Sequence, residues 1–587
     1  MIFNLNQSKP EVKRLILNLF GFAFLLFPAQ ALAITDPLSV PNNKFGIHII
    51  SPTHDESLPA AQLVNSSGGD WGYITVLIES EDRKTDKWQT FFNDLRRKHL
   101  IPLVRIATKP IGSNWKIPDT NDATDWANFL DTLTWPTKNR YVIVYNEPNQ
   151  GQEWEGQVNA THYAKILNQT IDALKAKNPD FFVLNGGLDA SAPYKLPLFQ
   201  DELSFLKEMD QAVPGIFNKL DGWVSHSYPN PGFAGSPDDI GRGTVRTWIW
   251  EQRMLQSLGL SKTLPIFITE TGWKHAEGLD YDKSLPSADT IGEYFKKAFQ
   301  YAWNSSQIVA VTPFLLTYLD SPFDHFSFKK PTGNSQNMKI LGASFPEYYP
   351  HYETLLSMAK TAGKPAQENK AQLTKGSIYH NMVSGESYTI PLTFKNTGQS
   401  IWGDGEKLEL RAIEGGQDLG ILPAELSVGQ KIEPGQEASF NLRIHTPKTG
   451  DYKISLQLFH EGKAFDQPPF DFPVQVDSPV ILIINSTLGW KKDFSGSYFL
   501  DINSNLFQNT ISFDLDNNGK SKPIEARYLL PNYNFTFTIT KPFYKQKSIQ
   551  VIVKSGMNTL NFGELEPDFL SAALNPQELW NLLPFSK

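Results

Sequence analysis

The 587-residue chain is 40% hydrophobic and 20% charged, a globular composition with length for roughly three or four domains. Its net charge of −8 argues against a nucleic-acid partner. It has no cysteine, which excludes disulfides, thiol catalysis and Cys-based metal sites.

Residues 1–33 read as an export signal. Lys9, Lys13 and Arg14 precede an apolar run over 15–27, and Ala31-Leu32-Ala33 supplies a small-residue cleavage site. An uncleaved signal anchor would show nearly the same pattern. The mature protein is expected to begin near Ile34, to be secreted or held at the cell surface, and to carry no further integral membrane segment.

From 34 to 362, strand-like and helix-like segments alternate. Strands are predicted over 45–50, 73–79, 102–108, 141–147, 181–187, 222–228, 265–270 and 309–316. Helical patterns lie between most of them, such as 87–99 with Trp88, Phe91, Phe92 and Leu95 on one face, and 161–177. This rhythm predicts an α/β fold, a (β/α)8 TIM barrel. A doubly wound sheet alternates in the same way, but the phosphate-binding glycine fingerprint is missing after the first strand. A helix over 352–362 closes the unit, and the polar stretch 363–376 reads as a linker.

The texture then changes. Short alternating strands at 387–395, 407–412, 438–444 and 452–460 predict an all-β sandwich over 377–477. A second all-β sandwich is expected over 478–565, with strands at 528–539 and 548–554. Residues 566–587 are read as a terminal helical tail without function. The modules carry no paired carboxylates, and suit spacers or attachment to a glycan or cell surface.

Two strands run into glutamates: Tyr141-Val142-Ile143-Val144-Tyr145-Asn146-Glu147-Pro148-Asn149, and Leu264-Pro265-Ile266-Phe267-Ile268-Thr269-Glu270-Thr271-Gly272-Trp273. Burial disfavours a charged carboxyl, so a glutamate at the end of a buried strand calls for a reason. Two of them suggest the paired carboxyls of glycoside hydrolysis, although either could instead cap a helix or pair with a base.

At Asn146-Glu147-Pro148-Asn149 and Thr269-Glu270, on strands four and seven, the barrel resembles the clan A retaining glycoside hydrolases. The resemblance implies a carbohydrate substrate, with Glu147 as acid/base, Glu270 as nucleophile and Asn146 holding the sugar 2-hydroxyl. His226-Ser227-Tyr228 resembles the clan's His-x-Tyr, which implies that Tyr228 bonds the nucleophile. Arg105 corresponds to the arginine that keeps the nucleophile ionised. The clan's strand-eight tryptophan is missing from Thr312-Pro313-Phe314-Leu315-Leu316-Thr317-Tyr318. Trp273, Trp154 and Trp115 fall in loops where sugar subsites are expected, Trp273 foremost.

Residues 394–402, with Asn396-Thr397-Gly398 and Trp402, resemble the Ig-like domain of next-to-BRCA1 proteins. Residues 480–565 resemble small sandwiches appended to secreted carbohydrate-active proteins. No cofactor is expected except a structural calcium: Asp514, Asp516, Asn518 and Glu525 have calcium-loop spacing, which an Asn-Gly hairpin turn explains equally. The leading expectation is a retaining hydrolase of a β-linked glycan. A transglycosylase using the same residues, and a non-catalytic surface adhesin with a decayed barrel, are the alternatives.

Overall fold

A computed structural model describes residues 34–331, 347–403, 407–427, 429–505 and 507–572. The expected signal peptide and most of the tail lie outside them. Within them no helix is long and apolar enough to cross a membrane. The chain divides after Glu368.

Before that division stand eight parallel strands: β1 (Gly46–His48), β2 (Gly72–Glu79), β3 (Leu100–Ala107), β4 (Arg140–Val144), β5 (Phe181–Asn185), β6 (Trp223–His226), β7 (Ile266–Glu270) and β8 (Ile308–Val311). β1 to β5 form one continuous sheet and β6 to β8 another. Bridges Leu184↔Gly222 and Phe45↔Val311 join them into a closed barrel. The helices between the strands are α1 (His54–Val64), α2 (Thr85–Arg97), α3 (Asp122–Asp131), α4 (Ala160–Lys177), α5 (Glu202–Ala212), α6 (Thr247–Ser257), α7 (Ala288–Lys297) and α8 (Pro350–Ser357).

Alternation along each strand serves two apolar layers at once. Ile74, Val76, Val104, Ile106, Val142 and Val144 face the helices. Tyr73, Leu103, Tyr141, Ile143, Phe182, Val224 and Phe267 fill the barrel interior. With both faces buried, these strands carry nearly continuous apolar runs. α2 buries Trp88, Phe91, Phe92 and Leu95, the face read from its sequence.

The second unit holds two cores. In one, Ala371–Lys375, Ser387–Asn396 and Glu437–His445 form a sheet over another containing Leu408–Glu414, Gly450–His460 and Phe470–Asp477. In the other, Val480–Leu488 pairs with Gly556–Leu565, beside a sheet of Gly496–Ser504, Phe507–Leu515, Asn534–Thr540 and Lys547–Ile552.

Several boundaries differ from expectation, among them strand eight, which is Ile308–Val311 and does not reach 316. Residues 371–375, placed in the linker, are a strand, and Gly363, Lys364 and Ala366 bond the barrel through Asp70, Pro41 and Lys138. Polarity alone had suggested a linker, but the backbone groups there are paired. The strand expected from 528 begins only at Asn534, because 527–532 is turn around Pro531. The closing helix starts at Pro350, a favoured first-turn residue, and ends at Ser357.

Candidate active site

The site lies at the C-terminal ends of the barrel strands, and two backbone irregularities build it. Tyr141 and Ile143 point inward, so strict alternation would send Tyr145 inward too. Instead Tyr145 takes φ +68° and packs on the helix side against Trp154, while Glu147 takes φ +28°. Asn146 and Glu147 thereby turn into the cleft. Such left-handed conformations in bulky residues cost energy and gather at functional sites. In β7 the register with β6 runs Ser225↔Ile268 and then His226↔Glu270, which leaves Thr269 as a bulge. The extra residue reverses the alternation and brings Glu270 inward.

Four groups then converge on the two glutamates. Arg105 donates to Glu270 Oε1 and, over 2.7 Å, to Asn146 Oδ1. The Tyr228 hydroxyl donates to Glu270 Oε2 over 3.1 Å. His226 Nδ1 lies 2.8 Å from Glu147 Oε1 and 3.8 Å from Glu270 Oε2. Gln150, three residues past Glu147, donates to Glu147 Oε2 over 2.6 Å. One ligand atom each of Glu147, His226 and Glu270 lies within 4.8 Å of the others.

The electrostatics differ between the two carboxyls. Burial raises the pKa of Glu147, and although His226 opposes this, the charges of Glu270 and Asp189 add to it. Burial pushes Glu270 the same way, but His226 and Arg105 outweigh it and hold Glu270 at about 2. Burial and then the two glutamates push Tyr228 far up, so it remains a protonated donor. Burial lowers His226, but the two carboxylates win and raise it. The two carboxyls are thus displaced in opposite directions, Glu147 upward and Glu270 downward.

A cleft of about 530 Å³ stands over this pair. Loops after β3, β4 and β5 line it with Trp115, Gln152, Glu153 and Asp189, and loops after β6, β7 and β8 with Phe233, Lys274, Phe314 and Phe326. Burial raises Asp189, and raises Glu153 to about 7.

The structure brings Arg105, Asn146, Glu147, His226, Tyr228 and Glu270 together at one cleft. It corrects two tryptophans. Trp273 is 2% exposed, packs on Phe295 and Trp303, and donates its indole N–H to Gly235 O over 2.7 Å. Trp154 is 1% exposed and wedged against Tyr145 and Tyr163. Both are packing residues beneath their loops, and Trp115 is the one that faces the cleft. Where a strand-eight tryptophan was missed, Phe314 lines the cleft against His48. Gln150, Glu153, Asp189 and Lys274 went unnoticed. Their only signal was position in loops at the C-terminal ends of barrel strands.

Glu147, His226 and Glu270 are the described group with metal-ligand spacing, but Arg105 already sets a cation on Glu270. Three of the residues expected as a calcium loop have protein partners. Asp516 Oδ1 accepts from the backbone of Asn518 and Lys520, Asp514 accepts from Ser497, and Glu525 pairs with Arg527. Gly519, at φ +78°, completes a tight turn there.

No family model matches the chain, and no characterised protein matches it in sequence. Among solved structures, a family 39 glycoside hydrolase from Bacteroides cellulosilyticus WH2 is 14% identical, over 70% of this chain and 82% of its own, with a TM-score of 0.36. An endo-β-1,4-mannanase double mutant from Cellulomonas fimi is 12% identical over 75% and 94%, with a TM-score of 0.32. A β-mannanase from Thermomonospora fusca is 13% identical over 55% and 89%, with a TM-score of 0.34.

Proposed function

We propose that the protein is an exported retaining glycoside hydrolase acting on a β-linked glycan. The observation that carries this reading is the opposed displacement of two adjacent carboxyls, Glu147 upward and Glu270 downward. Retaining enzymes place their carboxyls about 5–5.5 Å apart. Oxygens of Glu147 and Glu270 within 4.8 Å of each other fit that separation.

In this mechanism Glu270 attacks the anomeric carbon while Glu147 gives its proton to the leaving oxygen. A glycosyl ester forms on Glu270. Glu147, now a carboxylate, takes a proton from water, and that water displaces the sugar from Glu270. His226 stays on Glu147 and balances its charge while the proton is away. Arg105 occupies Asn146 Oδ1, and the Asn146 amide nitrogen, already beside the Glu153 carboxyl, has a second N–H to offer a sugar hydroxyl. The β-rich unit is read as catalytically silent, serving attachment to a glycan or surface.

The test is a pair of variants. Glu270→Ala should abolish the glycosyl-enzyme, and Glu147→Ala should keep turnover only on substrates with good leaving groups. Azide should rescue each, giving sugar azides of opposite anomeric configuration by NMR. Undiminished turnover in both variants would remove this pair from the chemistry.

A further inference from the structure

Two basic side chains besides His226 line the cleft, Arg105 and Lys274, and they differ in their partners. Arg105 is held by Glu270 and Asn146. Lys274, on the loop after β7, has no carboxylate within ion-pairing distance among the described residues. Its Nζ stands over two rings, 5.4 Å from the centroid of Phe233 and 5.6 Å from that of Phe326. Its backbone N–H donates to Phe233 O over 3.0 Å, which fixes the base of its stem.

Those rings connect it to the chemistry. Phe233 and Phe326 pack edge-on against each other, and both pack against Tyr228, whose hydroxyl bonds Glu270. Lys274 is therefore separated from Glu270 by the Phe233–Phe326 pair and Tyr228, and lines the same cleft, where it can meet a glycan bound over Glu270. The acids that line the cleft, Glu153 and Asp189, belong to the loops after β4 and β5. An ammonium group flanked by ring faces, facing a cleft and with Asp282 as a charge neighbour but no carboxylate within 4 Å among the described residues, is preorganised to receive an anion.

Resting on the glycosidase reading above, we infer that Lys274 receives an anionic substituent, a carboxylate or a sulfate, so that the substrate is an acidic β-linked glycan. The anion would supply the close ion pair that no described carboxylate makes with Lys274. Water must leave for the sugar to enter, so the contact forms in a dry, low-dielectric setting where it counts for most.

The test pairs each neutral β-glycoside of a panel (gluco, galacto, manno, xylo) with its uronate and its sulfate where one exists. The full-length protein is assayed by turnover and, separately, by ligand-observed NMR for binding. At least one acidic member should exceed its neutral twin by about tenfold or more, the scale of a hydrogen bond to a charged group. That ratio should collapse in Lys274→Met and Lys274→Gln, persist in Lys274→Arg, and shrink with added salt in the wild type. Whether the uronate or the sulfate shows the advantage identifies the anion. Equal or weaker handling of every acidic member, a ratio unchanged in the variants, or no binding at all would overturn the assignment. Binding of an acidic member, lost in Lys274→Met but without turnover, would uphold Lys274 and sink the hydrolase reading instead.

Discussion

The imidazole of His226 rests against Gly187, so closely that a Cβ added there would come within 2.1 Å of the ring's Cδ2. Gly187 follows β5, next to Gly186, and its bare backbone is what lets His226 lie beside Glu147. The space that a side chain would fill is taken by the imidazole that hydrogen-bonds Glu147.

Gly187→Ala should therefore displace the imidazole without touching either carboxyl. We expect kcat to fall at least about tenfold, and stability to fall by about 1–3 kcal/mol from overpacking. Steady-state kinetics beside a thermal melt checks both. Unchanged kinetics in a folded variant would show that His226 need not be where it is.

Arg105→Gln should move the acid limb of the kcat/KM profile. Glu270 is held at about 2, with burial opposing and His226 and Arg105 prevailing. Loss of the guanidinium raises the pKa of the nucleophile, so activity should fade at a higher pH on the acid side than in the wild type. The alkaline limb, governed by Glu147 and His226, should move much less. A pH–rate series on an activated aryl glycoside would reveal an acid limb that fails to shift.

Stability should fall as the pH rises from mildly acidic to neutral, through two buried carboxyls on the helices behind the site. Glu202 on α5 and Glu251 on α6 are fully buried. Burial first, and then the neighbouring carboxyl, drives Glu202 far up, while burial drives Glu251 to about 7. An acid with a raised folded pKa holds its proton more tightly when folded. Its favourable contribution is complete below the unfolded value of 4.5 and is lost as the pH climbs through about 7. The slope is about 1.4 kcal/mol per pH unit for each titrating group. Glu251→Gln should flatten the decline in melting temperature between these limits, and an unchanged slope would exonerate the pair.

The tryptophans should separate by readout. Trp273→Ala removes a buried indole and its hydrogen bond to Gly235, at a cost of about 3–5 kcal/mol in stability. Trp115→Ala, at the cleft wall, should leave the melting temperature nearly intact and raise KM several-fold through lost stacking, about 0.5–1.5 kcal/mol. The opposite pattern in kinetics and melts would return Trp273 to the site.

A fragment spanning 34–368 should fold and turn over small soluble substrates, because residues 363–367 bond the barrel and the division of the chain falls just after them. Cutting at 362 should do worse, since it strips those bonds. Insolubility of the longer fragment, with the intact chain active, would mean the β-rich unit completes the barrel.

Much of the fold was legible before any coordinates. Runs such as Tyr141 to Val144 and Ile266 to Ile268 are apolar at every position, which only strands buried on both faces require, and their alternation with amphipathic helices determined the barrel. The ends of β4 and β7 also announced their glutamates, because a carboxyl closing such a run is costly without a partner or a task. Sequence could not say where those carboxyls point. Period-two alternation would have turned Glu270 away from the interior, and only the bulge at Thr269, visible as a register shift against β6, reverses it. Likewise Tyr145 flips outward through a left-handed backbone that no local propensity favours, because the packing around Trp154 over-determines it. Trp273 and Trp115 have the same chemistry and the same loop context in sequence. Which one is buried and which meets the cleft depends on residues far along the chain, Gly235, Phe295 and Trp303 in the first case, so tertiary packing alone decided it.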